Sequence, residues 1–202
     1  MSGPDGAATL RAQVLGRLGA ESPRVVLVAP LEPGDDAASV AAGLAESLAA
    51  TARAVVLVEL PGSGGGMDRR YDVTSGRGLA EALRESNGPT ATPAAGGMKG
   101  LTVVVEGEGG VDAEDLAASA TTTEYLTSIR DAGAWVVALS GPATGSAVAL
   151  TVGPECDGVV LVATHGETDR VRAARVVGQL TGARTRVLGV VMGPVAGDVD
   201  AV

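Results

Sequence analysis

The stretch "VVLVAPLEPGDDAASVAAGLAESLA", residues 25–49, runs from an apolar segment through a Pro/Gly turn into small residues with helical spacing. A chain that passes from strand through glycine turn into helix points backbone N–H groups at one spot, which is how such turns hold phosphate. This turn contains Asp35 and Asp36 and no lysine. Its shape and its charge point in opposite directions.

Working outward, Val-rich runs at 24–30, 54–60, 135–141 and 158–164 read as strands buried on both faces, with 101–107 and 186–193 as two more. Between them, apolar residues at three- and four-residue spacing predict helices over 40–50, 78–85, 113–132 and 168–182. Strands alternating with helices of this length imply crossover units. The expected class is α/β, a doubly wound and mainly parallel sheet with helices on both faces. Residues 1–23 read as an N-terminal helix or arm, 24–195 as a single domain, and 196–202 as a tail. The glycine-dense loop 61–70 directly follows a strand, at the sheet edge where ligand sites collect. The Pro/Gly/Ala/Thr-rich segment 87–100 is expected to be a mobile surface connection.

Composition narrows the chemistry. The 202 residues are 46% hydrophobic, enough for a full core, yet only Tyr71, Tyr125 and Trp135 are aromatic. A core of Val, Leu and Ala suits helices packed closely on a buried sheet and offers no stacking platform for bases. A net charge of −9 and a pI near 4.6 also disfavour a nucleic-acid backbone as partner. Cys156 and His165 are the sole residues of their kinds, so an internal disulfide, a thiol metal cluster and the usual multi-histidine zinc site are excluded. No metal site is expected. The first twenty residues lack the apolar core of a signal peptide, and no run approaches the roughly 20 residues of a membrane span. The expectation is a cytoplasmic protein without direct membrane insertion.

The segments "SVAAGLAESLA" (39–49), "AVVLVEL" (54–60), "MDRRYDVTSGRGLAEALRESNG" (67–88), "AEDLAAS" (113–119) and "CDGVVLVATHGETDRVRAARVVGQLTGARTRVLGVVMGPV" (156–195) carry a resemblance. In this order they are similar to the cytoplasmic kinase domain of bacterial tyrosine kinases, polysaccharide co-polymerase partners within the wider family of partitioning and division-site ATPases. The likeness spans roughly residues 8–195 and implies a P-loop fold. In that family the turn reads Pro-Gly-Glu-Gly-Lys-Ser/Thr-Thr. On this chain it falls on Pro33, Gly34, Asp35, Asp36, Ala37, Ala38 and Ser39. The resemblance thus puts Ala37 where the phosphate-binding lysine stands and Ala38 where the metal-binding hydroxyl stands. Lys99, the only lysine, lies in another loop. The family's Asp-x-Asp falls on Glu59, Leu60 and Pro61, and the aspartate of its Asp-Thr-Pro-Pro motif falls on Leu139. The chain ends "VAGDVDAV", without the family's tyrosine-rich tail.

Phosphoryl transfer depends almost wholly on positioning and charge stabilisation by these groups. Each charge-assisted hydrogen bond contributes about 1.5–3 kcal/mol, so losing lysine, hydroxyl and carboxylate together costs on the order of 5 kcal/mol, several powers of ten in rate. The resemblance with these losses implies a pseudokinase without cofactor, a binding or regulatory subunit in exopolysaccharide or capsule assembly. Its implied partner is a protein, a chain-length-regulating membrane protein of polysaccharide export. Two alternatives stand beside it: a divergent ATPase completed by a residue from a neighbouring subunit, and a self-assembling scaffold or partition-type adaptor.

An aspartate at a helix start accepts orphan N–H groups and suits the positive helix end, so a carboxylate of Asp35 or Asp36 is expected to take the electrostatic place of a phosphate. Arg69, Arg70 and Arg77 flank the glycine loop, and His165 and Arg170 follow the strand at 158–164; together with Arg11 these are the candidate partner contacts. In the family an acid and two arginines at three-residue spacing help close a ring. The matching positions are Asp5, Ala8 and Arg11, so only part of that device is retained and a homodimer or a mixed assembly is expected in place of a ring.

Overall fold

Every position of Val25–Pro30 is apolar and every one is buried, as a strand covered on both faces requires. In the computed structural model, residues 4–51, 53–73, 77–85, 92–93, 99–108, 110–165 and 168–193 are described. In chain order the elements are α1 (Pro4–Leu18), β1 (Val25–Pro30), α2 (Ala37–Ala49), β2 (Val55–Glu59), α3 (Met67–Arg70), α4 (Leu79–Glu85), β3 (Thr92–Pro93) and β4 (Leu101–Val104). Then follow α5 (Ala113–Ala117), α6 (Ala120–Asp131), β5 (Trp135–Leu139), α7 (Val148–Val152), β6 (Gly158–Thr164), α8 (Arg170–Gly182) and β7 (Val187–Gly193).

The sheet is ordered β3-β4-β2-β5-β1-β6-β7. Six strands pair in parallel, and the two-residue β3 lies antiparallel on β4. This is the doubly wound α/β architecture expected from the alternating runs. The core divides into two layers. On one face α1, α2 and α3 cover Val26, Val28, Leu57 and Val137; on the other, α4 to α8 cover Leu27, Val136, Val159 and Leu161.

Small residues set the spacing of the first layer. Ala41, Ala42 and Ala45 of α2 have no exposed surface, and a methyl group on Gly43 would stand 3.4 Å from the Ala7 Cβ of α1. Close contact lets the Arg11 guanidinium donate to both the carbonyl and the hydroxyl of Ser47, each at 2.8 Å. Where β1 begins, the Asp157 carboxylate accepts the Val25 N–H at 2.8 Å and pairs with Arg24 at 3.4 Å. That contact fixes where β1 begins beside β6.

The helix expected over 113–132 is two helices. Ser119 is extended and its hydroxyl accepts the Thr122 N–H at 3.3 Å, while the Thr122 hydroxyl donates to the Leu116 carbonyl at 2.7 Å. A local side-chain cap here outcompetes helix continuation. The short helices α3 and α7 escaped the periodicity because one turn is too short to show a period. The strand expected over 101–107 stops at Val104. Most of the 87–100 segment and the whole 196–202 tail lie outside the described residues, apart from β3 and the Lys99–Gly100 turn. Among the described residues no helix is long and apolar enough to cross a membrane.

Candidate functional site

The parallel strands send the turns after β1, β2, β5 and β6 to one end of the sheet. The turn after β1 is tied to both neighbours of that strand: Leu31 N–H donates to the Val162 carbonyl at 2.7 Å, and Thr144 donates through its N–H and hydroxyl to the Leu31 carbonyl. Pro33 and Gly34 are exposed, and Gly34 has φ +101°, a left-handed conformation that glycine adopts without strain.

The two aspartates divide the work. Asp36 is the N-cap of α2, its carboxylate accepting the Ser39 N–H at 2.9 Å. Asp35 turns the other way. One of its oxygens accepts the Glu32 N–H at 2.8 Å; the other accepts the Thr164 N–H at 2.7 Å and the Thr168 hydroxyl at 3.4 Å. The turn also satisfies its own backbone, since Asp35 N–H donates to the Glu32 carbonyl and Ala37 N–H to the Asp35 carbonyl. Of the pair, Asp36 is the one bonded to the start of the helix, and Asp35 clamps the turn to the end of β6.

Three expected positions meet around Gly65. A methyl group there would stand 2.3 Å from Leu139 Cδ2, 3.0 Å from Glu59 Oε1 and 3.5 Å from the Ala38 Cβ. The residues aligned with the second, third and first family motifs therefore converge on one backbone segment of the glycine loop. Pro61 is buried beside them, and Leu60 N–H donates to the Leu139 carbonyl at 2.9 Å.

Glu59, at the end of β2, is 2% exposed. Burial pushes its carboxyl above the usual glutamate range; accepted N–H groups of Glu106 and Met67 pull the other way, and the nearby Glu106 charge adds to the upward shift. Glu106 was not among the expected residues. Its carboxylate accepts the Gly62 N–H at 2.6 Å and the Gly64 N–H at 3.2 Å, and both glycines have positive φ. The glycine loop is a concave backbone nest seated on the chain's own anion. The sequence holds one signal for it: "VVLVE" and "LTVVVE" both end in glutamate, and with Val58 beside Val104 in the parallel register, Glu106 follows one residue past the position facing Glu59. With Asp68, Arg69 and Glu108, these acids line a cleft of about 330 Å³. No group of three or more metal-ligating side chains gathers among the described residues.

The fold is similar to that of bacterial tyrosine kinase domains. Superposition on the kinase domain of the Escherichia coli tyrosine kinase ETK gives a TM-score of 0.85 at 17% identity, covering 98% of this chain and 78% of that one. The VpsO kinase domain gives 0.78 at 22% identity, covering 95% of each chain. A ParA family ATPase from Chlorobium tepidum gives 0.67 at 13% identity, covering 89% of this chain and 76% of that one. No protein-family model and no curated protein matches the sequence.

The expected partner contacts scatter. Arg11 is spent on Ser47 within the chain. Arg69 is exposed at the cleft, and Arg70 lies 6.0 Å from the centre of the Tyr71 ring, whose hydroxyl donates to Glu46 at 2.7 Å. Arg77 is exposed. His165 and Arg170 are exposed where β6 gives way to α8. Cys156 is buried, its thiol donating to the Val152 carbonyl at 3.3 Å, and burial pushes that thiol up to about 12. It packs as a small core residue.

Proposed function

We propose that this chain is a catalytically silent member of the tyrosine-kinase-like P-loop fold, a binding or regulatory subunit that works without a nucleotide cycle. One observation carries the reading: Ala38, Glu59 and Leu139 close on the Gly65 backbone, where the aligned family positions would hold magnesium. A magnesium nucleotide needs a cation for its phosphates and oxygen ligands for its metal. Ala37, Ala38 and Leu139 supply neither, and the two turn aspartates repel a triphosphate. The residues present do not fit that group.

By the sequence resemblance, the partner is the cytoplasmic face of a membrane protein that regulates chain length in envelope polysaccharide export. Docking alone suffices for such a subunit.

Calorimetric titration of the chain with ATP and magnesium tests the reading. No binding heat is expected, and saturable micromolar binding overturns it.

A further inference from the structure

Charge is segregated along this chain. Residues 105–129 carry six acids and no lysine or arginine, whereas 170–193 carry five arginines and no acid, against a chain total of 24 acids and 15 bases. The first segment follows β4 and forms α5 and most of α6; the second is α8 and β7, at the far end of the sheet order. One turn lies between them. Glu114 of α5 accepts the Ala147 N–H at 3.0 Å, and a few residues earlier Thr144 and Gly145 line a cleft of about 440 Å³ together with Arg172, Arg175 and Gln179 of α8.

Each patch carries an apolar centre. Val111 is fully exposed amid the acids, and Val171 is 66% exposed between Arg170 and Arg172. On a helix Val171 and Arg175 stand on one face, so the basic ridge and the apolar residue are offered together. Arg172 makes an ion pair with Glu32 at 3.4 Å. Arg84 makes one with Asp112 at 2.5 Å. Asp115, Arg170 and Arg175 are exposed, and Glu108 is exposed beside Arg84, whose guanidinium donates to the Glu108 carbonyl at 3.0 Å.

We propose that this face is a homodimer interface, in which the acidic segment 106–115 of one copy seats against the α8 ridge and cleft of the second, and the reverse contact forms across a two-fold axis near the 144–147 turn. The argument is self-complementarity. Patches of opposite sign flanking one turn satisfy each other twice under a two-fold rotation, and an isologous contact needs that property. An acidic chain otherwise repels its own copies, so a local basic ridge steers their approach. The inference does not rest on the silent-subunit reading, since no nucleotide enters it.

The test is sedimentation velocity across a concentration series, at low and at high salt, with and without ATP. The expected mass doubles from 19.8 kDa at low salt and falls back at high salt, because screened surface charges stop attracting. Two reversals decide the interface: Arg170→Glu with Arg175→Glu, and Glu108→Arg with Asp115→Arg. Each alone is expected to be monomeric with an unchanged far-ultraviolet spectrum, and an equimolar mixture of the two is expected to regain the doubled mass. A wild type monomeric at low salt, a dimer surviving either reversal, or a mixture that stays monomeric overturns the proposal. So does a monomeric wild type that pellets with phosphatidylglycerol vesicles through Arg170 and Arg175, which makes the ridge a lipid contact.

Discussion

The Asp35 carboxylate accepts the backbone N–H of Thr164 at 2.7 Å, across 129 residues of sequence. A side chain in the first turn of the fold thereby holds the end of β6, and its second oxygen holds the Glu32 N–H within the turn. In a phosphate-binding turn such N–H groups await a ligand. Here the chain supplies the acceptor.

Replacing Asp35 with Ala leaves the Glu32 and Thr164 N–H groups without their acceptor, in a part-buried setting. An unsatisfied donor costs about 1–3 kcal/mol. The expected loss is about 2–3 kcal/mol, read as a lower urea midpoint with unchanged slope, and a fall in Tm of about 4–10 °C. Asp36→Ala removes only the N-cap bond to Ser39 and costs about 1 kcal/mol. Equal losses in the two variants contradict the division of roles.

Gly65 and Leu139 are coupled through contact. Gly65→Ala drives a methyl group into Leu139 Cδ2, and overpacking of this kind costs about 1–3 kcal/mol. Leu139→Ala leaves a cavity and costs about 2–5 kcal/mol. The double variant is expected to be more stable than the sum of the two losses by about 1 kcal/mol or more, because the small residue removes the clash. Additive losses in a urea double-mutant cycle mean that the glycine loop does not rest on Leu139.

Burial raises the Glu59 carboxyl, which sets the sign of a pH effect. From the unfolded value near 4.5 upward to the raised native value, the native state holds a proton that the unfolded chain has released. Stability therefore falls as pH rises through that window. Glu59→Gln cannot titrate, and urea midpoints across pH are expected to show a flatter decline than in the wild type. An identical slope in both proteins places the titration elsewhere.

Strand composition made the architecture legible. Runs such as Val25–Pro30 and Gly158–Thr164 are apolar at every position, and burial on both faces of a parallel sheet is the arrangement that keeps all of them from water. The turn residues 33–39 and the acid at Glu59 were equally plain, because their spacing from a strand end is local information. Glu106 was not plain. Its carboxylate meets Gly62 and Gly64 across more than forty residues, and no local pattern encodes such a pairing.

Periodicity and composition, being properties of neighbours along the chain, determined the long strands and helices, their alternation and the absence of lysine from the turn after β1. Only the tertiary structure decided which carboxylate serves which backbone: Asp36 the helix start, Asp35 the end of β6, Glu106 the glycine loop. Sheet order brings those strand ends together. A hydrogen bond is chosen by distance in space, and sequence separation carries no record of it.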